Sequence, residues 1–158
     1  MTTLYDTDFV AWAHEQAGLA RRIANAPGVS RGGSVHSLDL ANIAEELESI
    51  VRAERRVLAS QFRRLVAHLL KWRYQPDRRS RKWKMSILDA RFQIERVLED
   101  SPSLAHDLED IIKDEYPRAV RWAGDETGIA RCAFPAACPW QRTELLGLDF
   151  LPDQEDRG

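Results

Sequence analysis

The side chains able to do chemistry gather on one long amphipathic stretch and on the segment that follows it. Glu54, Gln61 and His68 stand at steps of seven, so on a helix they fall on nearly one line, drifting only ~20° per step. That line crosses an apolar stripe, between Ile50/Val51, Val57/Leu58, Leu65 and Leu69, with Glu46 at its border. Downstream, Arg91 is set among Ile87, Ile94 and Leu98, on another face that periodicity makes a core face. A glutamate and an arginine on core faces are expected to pair, because a lone buried charge is costly. Two readings follow. In one, Glu54, Gln61, His68 and Arg91 form a ligand-binding or enzymatic site between helices: Glu54 a base or ligand, His68 a ligand or proton shuttle, Arg91 gripping an anion. In the other they are a buried network, a Glu54–Arg91 ion pair with hydrogen-bonded Gln61 and His68, that fixes which helix meets which. The second is preferred, since structural networks also place polar groups in cores. Glu54 and His68 lie ~21 Å apart along one helix and cannot share a metal ion.

Metal and nucleophile chemistry find no support in spacing. Helical di-metal bundles present Glu-x-x-His pairs, but the residues three before His14, His36, His68 and His106 are Ala11, Gly33, Leu65 and Ser103. Cys132 and Cys138 do not match a zinc knuckle, no second pair exists, and two cysteines are too few for a disulfide scaffold. They read as reduced packing thiols. Gly28, Gly32 and Gly33 are not followed by Lys-Ser/Thr as a phosphate loop requires, and neither a nucleophile elbow nor HExxH occurs. No metal, cofactor or catalytic residue is assigned.

A second candidate is basic. Lys71, Arg73, Arg78, Arg79, Arg81, Lys82 and Lys84 are interleaved with Trp72, Tyr74 and Trp83. Cations for phosphates beside rings for stacking are what a nucleic-acid surface needs. The competing reading is a solvated turn, neutralised by acidic stretches such as Glu45-Glu46-Leu47-Glu48, with Trp72 and Trp83 in the core. A net charge of -2 favours it.

The elements that must position these residues are all helical. Phe9, Trp12, Ala13, Ala17, Ala20 and Ile23 predict a helix over 6–25, capped by Asp6 or Thr7. A flexible loop over 26–38 follows, rich in glycine. Asp39 caps a long helix, 39–75, whose stripe runs from Leu40 to Trp72 without Gly or Pro. It would span roughly 50 Å, longer than a small bundle needs, which suggests a break or bend near Val51–Arg56. Further helices are predicted over 79–100, over 103–124 with a kink at Pro117, and over 139–147 with Pro139 at the first helical position. A tail, 148–158, packs back through Asp149-Phe150-Leu151-Pro152. The fold class is all-α, a single helical domain.

In chain order these elements carry Tyr5-x-x-Asp8-Phe9-x-x-Trp12, Leu40-x-x-Ile43-x-x-Glu46-x-Glu48, Leu69-Leu70-Lys71-Trp72-x-x-Gln75-Pro76 and Arg79-Ser80-x-x-Trp83. Asp100-Ser101-Pro102-Ser103-Leu104, Phe134-Pro135-x-x-Cys138-Pro139 and Asp149-Phe150-Leu151-Pro152 follow. The ordered set resembles a bacterial, largely cyanobacterial family, the domain of unknown function numbered twenty-nine. The resemblance implies a helical fold and a bacterial source. It brings no activity, substrate or catalytic residue. Residues 26–37 are longer and richer in glycine than in typical members.

Bulk properties narrow the function classes. A 158-residue chain with 44% hydrophobic and 30% charged residues is one globular domain rather than a disordered segment. The near balance of 23 basic and 25 acidic residues argues against global attraction to nucleic acid or membrane. The first eight residues show no basic stretch leading into an apolar run, and no stretch is long enough to span a bilayer, so a cytoplasmic protein is expected. The reading preferred from sequence is a helical interaction or scaffolding module whose long helix extends into a homodimer. A protein partner or a second copy ranks ahead of a small molecule. Nucleic-acid binding through Arg73, Arg78, Arg79, Arg81, Lys82 and Lys84 and a pocket at Glu54, His68 and Arg91 are the alternatives.

Overall fold

The computed structural model describes residues 1–27 and 38–152. Most of the predicted loop, 28–37, and the end of the tail, 153–158, therefore lie outside the described residues. Within them the chain is all-α, with no strand. The helices are α1 (Leu4–Thr7), α2 (Phe9–Ala24), α3 (Leu40–Tyr74), α4 (Arg81–Asp100), α5 (Leu108–Thr127) and α6 (Arg142–Leu146).

The long helix α3 is the spine. Its 35 residues run unbroken, so of the break or bend expected near Val51–Arg56 there is no break. The Asp39 side chain accepts from the Asn42 amide at its start. Pro76, which cannot continue it, opens a short 3-10 turn, Pro76–Arg78, at its end. The spine need not fit inside a small bundle, because different partners flank its two halves. Near its N-terminus α2 runs antiparallel to it: Ala17 and Ala20 pack on Ala44, and Arg21 pairs with Glu45 and Glu48. Its C-terminal half is flanked by two helices. α4 runs antiparallel, with Arg64 on Asp89 and Lys71 over Trp83. α5 runs parallel, with Arg63 on Glu115 and Lys71 on Glu126. Leu58, Phe62, Leu65, Leu69, Ile87, Ile94, Leu108 and Leu145 fill the space between, all fully buried.

Several boundaries differ from the sequence reading, each for a tertiary or backbone reason. The first helix is divided at Asp8, whose backbone is extended (φ -157°, ψ 92°). Asp8, rather than Asp6 or Thr7, caps α2 by accepting from the Ala11 amide. Its carboxylate also accepts from the Ser103 amide and hydroxyl at 2.6 and 2.9 Å, so a distant turn selects the cap. Ile23, expected in the core, is 45% exposed. α4 starts at Arg81 because Ser80 caps it, accepting from the Trp83 amide. The stretch before α5 is a 3-10 turn, Pro102–Asp107, and α5 continues through Pro117 and past Gly124 to Thr127. It stops at Gly128, which adopts the left-handed φ of 74° that glycine takes without steric cost. Gly124 serves a different end: a Cβ there would stand 3.2 Å from the Ile129 carbonyl oxygen, so the turn folds closely over it. The last helix begins at Arg142 rather than Pro139, and the Gln141 amide donates to Glu144 at its start.

Candidate functional site

The ion pair expected between Glu54 and Arg91 does not form. Arg91 is 2% exposed and turns to the other end of the chain. Its Nε donates to the Leu145 carbonyl and one Nη to that of Phe150, both at 2.8 Å, with longer contacts to the carbonyls of Leu148 and Glu144 at 3.3 and 3.4 Å. These are the unpaired carbonyls of a helix C-terminus and the turn after it, where backbone dipoles favour a cation. Burial pushes the Arg91 pKa down, with Asp149 working the other way; guanidinium stays charged across the range in which proteins fold. Arg91 is thus a clamp on the chain from α6 to Phe150. The sequence carried no signal for this, because its acceptors are main-chain oxygens that any residue supplies.

The remaining seam residues do not converge on one point. Glu54 and Gln61 are half-buried, and Gln61 Oε1 is buried without a hydrogen-bond partner. His68 is buried, its Nδ1 lying 2.8 Å from the Arg64 carbonyl. A carbonyl can only accept, so Nδ1 carries the proton. Its ring meets Trp122 edge-on at 5.8 Å. Burial is the main cause that holds its pKa below the ordinary histidine value, opposed by the bond to the Arg64 carbonyl. Beside it lies a polar cluster that sequence reasoning left among exposed cations. Lys71, 4% exposed, pairs with Glu126 and stands 4.7 Å from the Trp83 ring centre. The Trp122 indole donates to the same carboxylate at 2.6 Å. Burial pushes the Glu126 pKa up, but the hydrogen bonds from Lys71 and Trp122 outweigh it and leave the carboxyl below its usual range.

The basic aromatic segment is divided between two roles. Arg79 donates to the Trp72 carbonyl at 2.9 Å, reaches the Pro152 carbonyl at 3.4 Å and stacks 5.0 Å from the Trp72 ring centre. Arg73 lies 5.8 Å from the Tyr74 ring centre. Trp72 and Trp83 are half-buried, which removes much of the stacking surface that a nucleic acid would need. Arg78, Arg81, Lys82 and Lys84 are exposed.

Two further features emerge only in three dimensions. The first is a line along α3 at steps of seven: Ile43, Ile50, Val57, Arg64 and Lys71. Arg64 and Lys71 meet Asp89 and Trp83 of α4, so α4 occupies the C-terminal part of the line. α4 has 20 residues against the 35 of α3, and its antiparallel course ends it before the line does. Ile43, Ile50 and Val57 remain 40%, 39% and 44% exposed. The second is a groove of about 500 Å³ between α3 and α5, lined by Arg52, Arg55, Arg56 and Arg118. Among the described residues no group of three His, Cys, Asp or Glu side chains could hold a metal ion. No described helix is long and apolar enough to cross a membrane.

The family model described as domain of unknown function DUF29 matches residues 4–151. The chain belongs to the DUF29 family. A solved α-helical protein of unknown function from Rhodospirillum rubrum shares the fold, with a TM-score of 0.67 and 22% identity over 95% of this chain and 93% of that one. No curated protein matches the chain. DUF29 membership and this neighbour therefore carry the architecture, and any function is to be sought in the chain's own surfaces.

Proposed function

We propose that this chain is a helical interaction module of the bacterial cytoplasm that self-associates by crossing two α3 helices at Ile50. The observation that carries the reading is the uncovered line Ile43–Ile50–Val57. A seven-residue repeat is the spacing a partner helix packs against, and α4 already uses the same line further along. Beside the line, on one flank, stand Asn42, Glu46, Ser49, Ala53, Arg56 and Ser60. Small residues at Ser49, Ala53 and Ser60 permit close approach. In an antiparallel two-fold arrangement about Ile50 this flank meets itself, which sets Glu46 of one copy against Arg56 of the other. Neither makes an ion pair within its own chain among the described residues. A bacterial setting accords with the source of the solved neighbour, and a reducing cytoplasm accords with two free thiols.

The pairing is weak by construction. Fully burying an Ile or Val contributes about 1.5–3 kcal/mol, so side chains two-fifths exposed contribute about 1 kcal/mol each. Six of them across a two-fold give about 6 kcal/mol, and close approach at the small flank residues with the two Glu46–Arg56 contacts has to offset the loss of rotational and translational freedom. The expected dissociation constant is therefore on the order of 100 µM or weaker. Sedimentation equilibrium between about 10 µM and 1 mM tests this range. A dimer should appear at the upper end, vanish in Ile50→Asp, weaken in Glu46→Arg, and recover in Glu46→Arg combined with Arg56→Glu. A monomer throughout, or a dimer indifferent to Ile50→Asp, overturns the reading.

A further inference from the structure

The groove between α3 and α5 shares Arg56 with the proposed pairing and otherwise uses residues that the pairing does not. Arg52, Arg55 and Arg56 lie within two turns of α3, Arg118 of α5 contributes to the same lining, and Ala59 and Ile111 are its apolar members. The groove's own carboxylate is already engaged. Glu115 is 5% exposed; its Oε1 accepts from Arg118 at 2.6 Å, and its Oε2 lies 3.0 Å from Arg63 Nε. Asp114 is the only other acid in the lining, against four arginines. The α3 cations have partners only outside the lining: Arg55 stands 3.6 Å from Asp107, Arg52 donates to the exposed Glu45 at 2.8 Å, and Arg56 has no ion pair among the described residues. A protein with a net charge of -2 thus concentrates cations in one concave site.

We infer that this groove binds a small-molecule phosphoanion carrying two or more negative charges. Several guanidinium forks exceed what one carboxylate, with two oxygens and a single charge, can satisfy. A phosphate ester or diphosphate has the oxygens and the charge to meet them in bidentate fashion. The volume of about 500 Å³ lies within the range of small-molecule pockets, and Ala59 and Ile111 offer an apolar bed for the remainder of the ligand. The concave shape between two helices suits a compact ligand better than a duplex, which needs an extended surface.

The test is titration of the intact chain with inorganic pyrophosphate, followed by calorimetry and by amide chemical shifts, with succinate as the carboxylate control. Saturable binding is expected at sub-millimolar pyrophosphate, with shifts confined to α3 around Arg52–Ala59 and to α5 around Ile111–Arg118. Arg52→Gln with Arg55→Gln, both exposed positions, should weaken it at least roughly tenfold, since each lost charge-assisted contact is worth a sizeable part of that factor. Arg78→Gln with Arg81→Gln, on another surface, should leave it unchanged. Absence of saturation at about 10 mM, equal affinity in both double variants, or equal binding of succinate overturns the inference. So does a single-stranded oligonucleotide that displaces pyrophosphate and binds the wild type more tightly. Ile50→Asp, which abolishes the proposed pairing, should bind pyrophosphate like the wild type.

Discussion

Replacing Arg91 by methionine distinguishes a clamp on main-chain carbonyls from the ion pair that its sequence context suggests. Methionine keeps the apolar stem and removes the guanidinium. Two hydrogen bonds of 2.8 Å from a buried cation disappear, each worth about 1.5–3 kcal/mol. Two longer ones, to Leu148 and Glu144, disappear with them. Leu148 is exposed and Phe150 half-buried, so their carbonyls should regain water and limit the loss, whereas that of Leu145, a residue with no exposure, should recover less. The expected cost is about 3–4 kcal/mol. It should be read in two ways, by urea denaturation and by hydrogen exchange across residues 140–152, which should lose protection ahead of the rest of the fold. Arg91→Lys should recover less than half of the loss, because one ammonium cannot span carbonyls that a planar fork reaches together. Glu54→Gln should cost under about 0.5 kcal/mol, as for a half-exposed residue without a charged partner. If Glu54→Gln and Arg91→Met cost the same and fail to add, the two are coupled and the clamp reading is wrong. An Arg91→Met cost below about 1 kcal/mol with unchanged exchange would refute the magnitude.

Two other predictions concern backbone and pH. Gly128→Ala should destabilise by about 1–2 kcal/mol, the cost of a left-handed conformation for a residue with Cβ, while Gly18→Ala, in the open middle of α2 with nothing within 4 Å, should stabilise by about 0.5–1 kcal/mol; thermal denaturation reads both, and equal signs would contradict the geometry. His68 is held neutral by burial, with its pKa below the ordinary value of 6.5. Below that value the unfolded chain takes up a proton that the folded chain refuses, so stability falls as pH drops from about 6.5 toward the folded pKa and is unaffected above it. The drop in stability between pH 7.5 and 5.5, measured by denaturant midpoint, should be smaller in His68→Gln, and an identical drop would show that His68 is not the group responsible.

How much of this was legible depended on whether the determining contact was local. The continuity of α3 through Val51–Arg56 was not, but its ends were, since Asp39 and Pro76 act within a turn of where they stand. So was the placement of Arg91 on a buried face. Its partner was not, because carbonyls at the end of α6 have no residue signature. Lys71 and Arg79 looked like members of an exposed basic cluster, since charge is solvated by default; only the approach of Glu126 and Trp83 to one, and of Trp72 and Pro152 to the other, shows them to be structural. Asp8 was overlooked as a cap for a similar reason: its second partner, Ser103, is 95 residues away.

By itself, then, the sequence determined that the chain is all-helical, where its main helices lie, and most of the side chains that face inward, because helical periodicity and end signals are local properties. Only the tertiary structure decided that α4 covers part of the line Ile43, Ile50, Val57, Arg64 and Lys71 and leaves the rest open, and that arginines from α3 and α5 line one groove. The relative lengths and directions of packed helices settle those questions, and they depend on the path of the whole chain.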